Sequence, residues 1–202
     1  MLQTQCVSNG LLEILIGVMQ NPLFEGYRLV GGTSLALQLG HRQSIDLDFF
    51  GQQPIEEDAF LSSLKPLGNI QVIKKSNNIL ILSVNDIKVD FVHYAYPWLD
   101  PVLEMDGIRL ASKKDIAAMK LNAIAGRGSK KDFIDLYYLL REISLREMLS
   151  AYQEKYKDGS VFMVQKSLTF FEDADLETSP IIMDGKNWED MKSEIKRYFE
   201  TM

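Results

Sequence analysis

One cysteine, Cys6, and two histidines, His41 and His93, are the whole supply of thiol and imidazole ligands in a chain of 202 residues. No intrachain disulfide can form, and a zinc cluster built on cysteines is excluded. So little cysteine suits a reducing compartment, and the cytoplasm is the expected location. Long apolar runs are missing too. The longest, Leu11 to Met19, falls well short of a membrane span, so no membrane partner is expected. The N-terminus lacks a basic stretch followed by an apolar core and a small-residue cleavage site, so no secretory signal is expected. No nucleophile-elbow pattern occurs, which argues against a Ser–His–Asp hydrolase.

An excess of positive charge is also absent. The formal net charge of -6 argues against a uniformly basic nucleic-acid surface. The distribution is uneven, however. Residues 1–108 hold 12 acids and 6 bases, residues 109–146 hold 4 acids and 9 bases, and residues 147–202 hold 12 acids and 7 bases. The middle segment either meets a polyanion or is a set of solvated helix faces.

What is present is ample apolar material, 46% of residues, for a real core. Leu11, Ile14, Leu15, Val18 and Met19 recur at helical spacing after a cap at Ser8 or Asn9. Tyr27 to Val30 reads as a short strand, Thr33 to Leu39 as a short helix closed by Gly40, and Ile45 to Phe50 as a strand. Strand alternation would set Ile45, Leu47 and Phe49 on one face and Asp46, Asp48 and Phe50 on the other. Ile70–Lys75, Ile79–Val84 and Ile87–His93 read as an antiparallel meander turned at Asn77-Asn78 and Asn85-Asp86, with Ile108 to Leu110 a last strand. Helices take over from Ser112. One runs to about Ala125, a second carries Phe133, Leu136, Tyr137 and Leu140 on one stripe, another is capped at Ser144 to Glu147, and the last carries Trp188, Met191, Ile195 and Phe199.

The residues that point to chemistry are Gly31-Gly32-Thr33-Ser34 and, eleven residues on, Asp46-Leu47-Asp48. Paired glycines between a strand and a helix let the backbone approach a ligand, and the unpaired N–H groups at the helix start favour phosphate. Thr33 and Ser34 add hydroxyls. The same glycines are also compatible with a plain turn. Residues i and i+2 of a strand share a face roughly 6.6 Å apart, so Asp46 and Asp48 can converge on a divalent cation. Their alternative is an edge strand that tolerates two solvated acids. In Ile87-Lys88-Val89-Asp90-Phe91 the apolar residues share one face, and Asp90 stands opposite beside Lys88. If that strand neighbours Asp46–Asp48, three carboxylates can share one metal site, the arrangement a two-metal phosphoryl-type transfer requires. Asp90 is then a general base, a metal ligand, or simply an exposed acid. Lys120 lies on an apolar-leaning helix stripe and either snorkels or reaches an anion. Asp132 is explained by helix capping, and Asp135 is not. Arg127, Lys130 and Lys131 crowd one loop, where they bind phosphates or are solvated. His41 and His93 have no metal-ligand spacing, and a structural role suits them.

These residues resemble the AbiEii/AbiGii-type nucleotidyltransferase toxins of the DNA polymerase β-like nucleotidyltransferase superfamily. The resemblance runs from Gly-Gly-Thr-Ser through Gly40-His41-Arg42, Ser44 and Asp46-Leu47-Asp48-Phe49-Phe50. It continues with Lys88-Val89-Asp90, then Ala118 to Ala123, then Arg127, Lys130-Lys131-Asp132 and Ile134-Asp135-Leu136, and covers roughly residues 27–142. It implies an α+β nucleotidyltransferase fold, a mixed β-sheet flanked by helices with a C-terminal helical region. Residues 1–110 would be the catalytic core, and 111–202 would complete the nucleotide cleft. Gly31, Gly32, Thr33 and Ser34 would hold the triphosphate. Asp46, Asp48 and Asp90 would bind Mg2+ or Mn2+, while Lys120 and Asp135 would contact the nucleotide or assist the chemistry. An NTP would be the substrate, a tRNA 3′ end a candidate acceptor, and a separately encoded antitoxin a partner. A protein or small-metabolite acceptor, and a non-catalytic binding module, stand as the alternatives.

Overall fold

The computed structural model describes residues 1–201, which divide into two compact units: Met1–Ala95 with Val102–Ala111, and Tyr96–Pro101 with the chain from Ser112 on. The first unit opens with α1 (Asn9–Gln20), where the Ser8 hydroxyl accepts the Leu11 N–H and the apolar stripe of Leu11, Ile14, Leu15 and Val18 is buried. There follow β1 (Tyr27–Leu29), α2 (Gly31–Leu39), β2 (Leu47–Gly51), α3 (Glu57–Leu64), β3 (Ile70–Ser76), β4 (Ile79–Val84), β5 (Ile87–His93), β6 (Leu103–Met105) and β7 (Ile108–Leu110). Their order in one sheet is β3-β4-β5-β2-β1-β7-β6.

The meander is as the sequence reads it. Asn85 and Asp86 both take positive φ, the conformation that lets a two-residue turn follow the strand twist. β2 lies parallel to β5 and antiparallel to β1, and β7 lies parallel to β1, so the sheet is mixed. One face carries the core. There Phe91 stacks on Phe24 and Phe49 with ring centroids 4.9 and 5.2 Å apart, and Phe60 of α3 meets Phe91 edge-on at 5.2 Å. Two elements of this unit escaped the sequence reading. α3 buries only Phe60 and Leu64, and β6 has three residues, too few for either to set up a period.

The strand expected over Ile45–Phe50 begins two residues later, and Ile45 is 73% exposed rather than in line with Leu47 and Phe49. The reason is local: the carbonyl of Asp46 accepts from the Thr33 hydroxyl, and the ladder with β5 starts at Leu47.

The second unit is helical: α4 (Lys113–Gly126), α5 (Lys130–Leu139), α6 (Leu145–Lys155), α7 (Val161–Ser167), α8 (Glu172–Asp175) and α9 (Trp188–Glu200). Ser112 caps α4 by accepting from Asp115 N, and Ser144 with Glu147 forms a full capping box on α6. α5 differs from the one-striped helix the sequence suggests. Apart from Lys131 it is buried on every side, because Asp132 and Asp135 lie inward together with the aromatic and aliphatic residues. Inside this unit Lys155 and Asp115, both with fully buried side chains, form an ion pair at 2.6 Å. No described helix is long and apolar enough to cross a membrane.

Candidate active site

The face of the sheet opposite the core is where Asp48 and Asp90 stand. Leu47 and Phe49 of β2, and Val89 and Phe91 of β5, point into the core, which turns the residues between them outward. In the parallel register Asp48 lies directly beside Asp90, each half-buried. β2 is flanked by strands on both sides, which removes the alternative of a solvated edge strand. Asp46 ends the loop that leads into β2. That loop is pinned: Ser44 N donates to Cys6 O at 2.9 Å, and the Thr33 hydroxyl meets both Ser44 Oγ at 2.7 Å and Asp46 O.

The Gly31–Ser34 turn adjoins the same acids. Gly31 begins α2 with φ of +69°, and a Cβ there would sit 2.6 Å from Asp48 Oδ2. Glycine is required twice over, for the left-handed backbone and for room beside the carboxylate. The side chains of Thr33 and Ser34 are buried. The Thr33 hydroxyl is engaged as described, and Ser34 Oγ accepts from Gln38 Nε2 at 3.2 Å. What this turn presents at the helix start is therefore chiefly backbone N–H, and Thr33 acts as the tether of the Asp46 loop.

Lys88 marks the electrostatic centre of the acids. Its ammonium bonds Asp90 Oδ2 at 2.5 Å. Burial pulls its pKa down, yet the bond to Asp90 and the charges of Asp90, Asp48 and Asp46 more than reverse this and hold it above the ordinary lysine value. All three carboxylates thus act on one cationic point. Asp90 Oδ1 is buried with no hydrogen-bond partner among the described residues, an acceptor oxygen that a hard cation would satisfy. Oxygen donors of this kind fit magnesium or manganese. The fit is of a pair with a third acid in electrostatic reach: as they stand, no three His, Cys, Asp or Glu among the described residues close to joint ligating distance.

Lys120 and Asp135 lie in the helical unit, bonded to each other at 2.6 Å, with Lys120 6% exposed and Asp135 fully buried. Lys120 does not snorkel: its ammonium lies inside the protein against the carboxylates of Asp132 and Asp135. The residue that sequence reasoning undervalued is Asp132. It accepts from Lys120 Nζ at 2.9 Å, from Arg127 Nε at 2.8 Å and Nη2 at 3.0 Å, and from Ser129 Oγ at 2.7 Å. Its place in a first helical turn offered capping as a sufficient reason, and only the fold reveals the four donors. Burial would raise its pKa, but Lys120, Arg127 and Ser129 together hold it well below the usual carboxylate range. A folded-state pKa below the unfolded one means that this carboxylate's stabilisation is complete above about pH 4 and is lost as the pH falls from there toward the folded value. Urea unfolding between pH 7 and pH 3 should therefore give a steeper acid loss of stability for the native chain than for Asp132→Asn. Equal slopes would refute the assignment.

The basic segment 109–146 is largely engaged within the protein. Arg109 donates to the carbonyls of Tyr27, Met19 and Phe24. Lys113 pairs with Glu142 and Lys114 with Glu154. Lys130 donates to the Glu177 carbonyl and lies over the Trp188 ring. The segment's bases are thus mostly engaged by carboxylates and carbonyls, several of them within the segment itself. His41 is buried, and His93 Nδ1 lies 3.0 Å from Gln53 O, which suits structural roles for both.

Comparison with known proteins bears on this geometry. Residues 13–202 match the sequence profile of a family described as the nucleotidyl transferase AbiEii toxin of type IV toxin–antitoxin systems. An uncharacterized protein of Aquifex aeolicus (strain VF5), aq_aa25, is 36% identical over 198 residues, covering 93% of this chain and 95% of its own. Two Helicobacter pylori crystal structures have similar folds. JHP933 is 20% identical with a TM-score of 0.61, covering 95% of this chain and 88% of its own. A candidate nucleotidyltransferase is 19% identical with a TM-score of 0.62, covering 95% and 91%.

Proposed function

Because the chain belongs to the AbiEii nucleotidyl transferase toxin family of type IV toxin–antitoxin systems, we propose that it moves a nucleoside monophosphate from an NTP to an acceptor hydroxyl and releases pyrophosphate. The observation that carries this reading is the side-by-side register of Asp48 and Asp90 next to the Gly31 turn, on a face turned away from the core. Asp48, Asp90 and Asp46 would hold Mg2+, which supplies charge neutralisation for the triphosphate and for the leaving pyrophosphate. The backbone N–H groups of Gly31 to Ser34 bind the phosphates at the start of α2. The acceptor oxygen forms its bond to the α-phosphorus as the bond from that phosphorus to the α–β bridging oxygen breaks. The acceptor's proton passes to a carboxylate, for which Asp90 is the candidate. Thr33 positions Asp46 through its carbonyl. Lys120 and Asp135 serve as a positioning pair tied by Asp132.

By family, an antitoxin is the expected partner, the cytoplasm the expected location, and a tRNA 3′ end the leading acceptor. The test incubates the purified chain with each of the four NTPs, labelled at the α-phosphate, and with cell extract, with magnesium and again with a chelator. Label on RNA, dependent on magnesium and accompanied by pyrophosphate release, is the expected result. Label on protein or on a small molecule would replace the acceptor, and no transfer under any condition would refute the enzyme.

A further inference from the structure

The row that holds Asp48 and Asp90 does not end at β5. Asp90 pairs across the ladder with Ile81 of β4, and Ile81 pairs with Lys74 of β3, so Asp48, Asp90, Ile81 and Lys74 share one face in a line across four strands. Lys74 is there because of an irregularity. The β3–β4 register shifts between Val72 and Lys74, leaving Ile73 as an extra residue in the edge strand. With strict alternation from Val72, which pairs with buried Leu82, Lys74 would point to the core face and Lys75 to the acid face. The bulge exchanges them. Lys74 joins the acid row, and Lys75 turns to the other side, where it pairs with Glu57 of α3 at 3.0 Å. Bulges beside functional sites are a known means of re-aiming a side chain.

Two inter-strand spacings put Lys74 roughly 10 Å from Asp90 along the sheet. That is too far to touch a reacting hydroxyl and suited to a phosphate farther back on the same acceptor. Ile81, half-buried between them, offers an apolar surface to a sugar or base. Lys74 is exposed, whereas the bases of the 109–146 segment are mostly engaged with protein carboxylates and carbonyls. Resting on the reading of Asp48 and Asp90 as the reacting centre and of an RNA 3′ end as the acceptor, we propose that Lys74 on β3 is an acceptor-binding residue that holds a backbone phosphate of a strand laid across β5 and β4. Lysines and bulges also guard sheet edges against unwanted pairing. That role asks only for charge at the edge and would be served by Lys75 as well, which makes the two neighbours the natural comparison.

The experiment measures binding of a fluorescent single-stranded RNA oligonucleotide with a free 3′-hydroxyl, without NTP, across a salt series. Native protein, Lys74→Ala, Lys75→Ala, Asp48→Ala and the double variant Asp48→Ala with Lys74→Ala are compared. Loss of one phosphate contact should reduce the slope of log affinity against log salt by about 0.7 in Lys74→Ala and weaken binding, with Lys75→Ala unchanged. Transfer of label to the same oligonucleotide should fall in Lys74→Ala while NTP binding does not. Asp48→Ala separates the two readings. A Lys74-dependent slope that survives in its background supports the track whether or not transfer depends on Asp48. Equal behaviour of Lys74→Ala and Lys75→Ala, or no binding of the oligonucleotide by the native chain, overturns the proposal.

Discussion

Asp48→Ala is expected to lower nucleotide transfer about a thousandfold, the equivalent of roughly 4 kcal/mol of transition-state stabilisation, which is the scale of charge neutralisation at a phosphoryl group. The residue lies in an interior strand opposite Asp90 and against the space left by Gly31, so its removal takes one of the two closest carboxylates from the cation's position. Folding should not suffer. Two like charges directly across a ladder repel, so the repulsion that Asp48→Ala or Asp48→Asn relieves offsets the attraction to Lys88 that is lost, and the thermal midpoint should change little. Activity and stability are therefore expected to move independently, which a merely structural aspartate would not produce. The checks are label transfer with α-labelled NTP and a thermal melt of the same preparations. Native activity in Asp48→Ala would dismantle the site.

The second large effect concerns stability. Asp115→Ala should destabilise the helical unit by about 3–5 kcal/mol, because it strands a buried ammonium. Lys155 would keep the Pro97 carbonyl at 2.7 Å and the face of Trp98, whose ring centre lies 4.9 Å from Nζ, neither of which replaces the charge of the carboxylate. Against a total of roughly 5–15 kcal/mol for a typical domain, this is enough to unfold a marginal one. Lys155→Met should cost less. Asp115 would keep the Ser112 hydroxyl and Leu99 N, both at 3.0 Å, and Asp100 N at 3.3 Å, while the methionine fills most of the vacated volume. Both tryptophans, Trp98 and Trp188, belong to this unit, so urea unfolding followed by tryptophan fluorescence reports on it directly. A larger loss in Lys155→Met than in Asp115→Ala would reverse the proposed division of the pair.

Membership of the family and the α+β class were legible because they depend on short-range patterns. The period of two in β4 and β5, the period near 3.6 in α1 and α9, and the caps at Ser8, Ser112 and Ser144 are each set by neighbours within a few residues. The turn at Asn85-Asp86 is likewise a local matter of backbone φ. The spacing of Gly31-Gly32 and Asp46-Leu47-Asp48 was visible for the same reason, as was the alternation that turned Asp90 away from Val89 and Phe91.

What chain-local chemistry could not determine is pairing between distant segments. That Asp48 lies beside Asp90 follows from β2 and β5 being parallel neighbours in one register, with α3, β3 and β4 passing between them in sequence. The alternation alone left Asp90 a common exposed acid. The same holds for Asp132, which read as a cap until α4 and the Arg127 loop brought it four donors, and for Lys155, whose partner Asp115 stands 40 residues away in sequence. Lys74 is the sharpest case, since one extra residue at Ile73, detectable only in the ladder with β4, decides which face of the sheet its charge occupies. Local sequence sets what each segment can be. Buried charge must find its partner across the fold, and strand register has no energy until two strands meet.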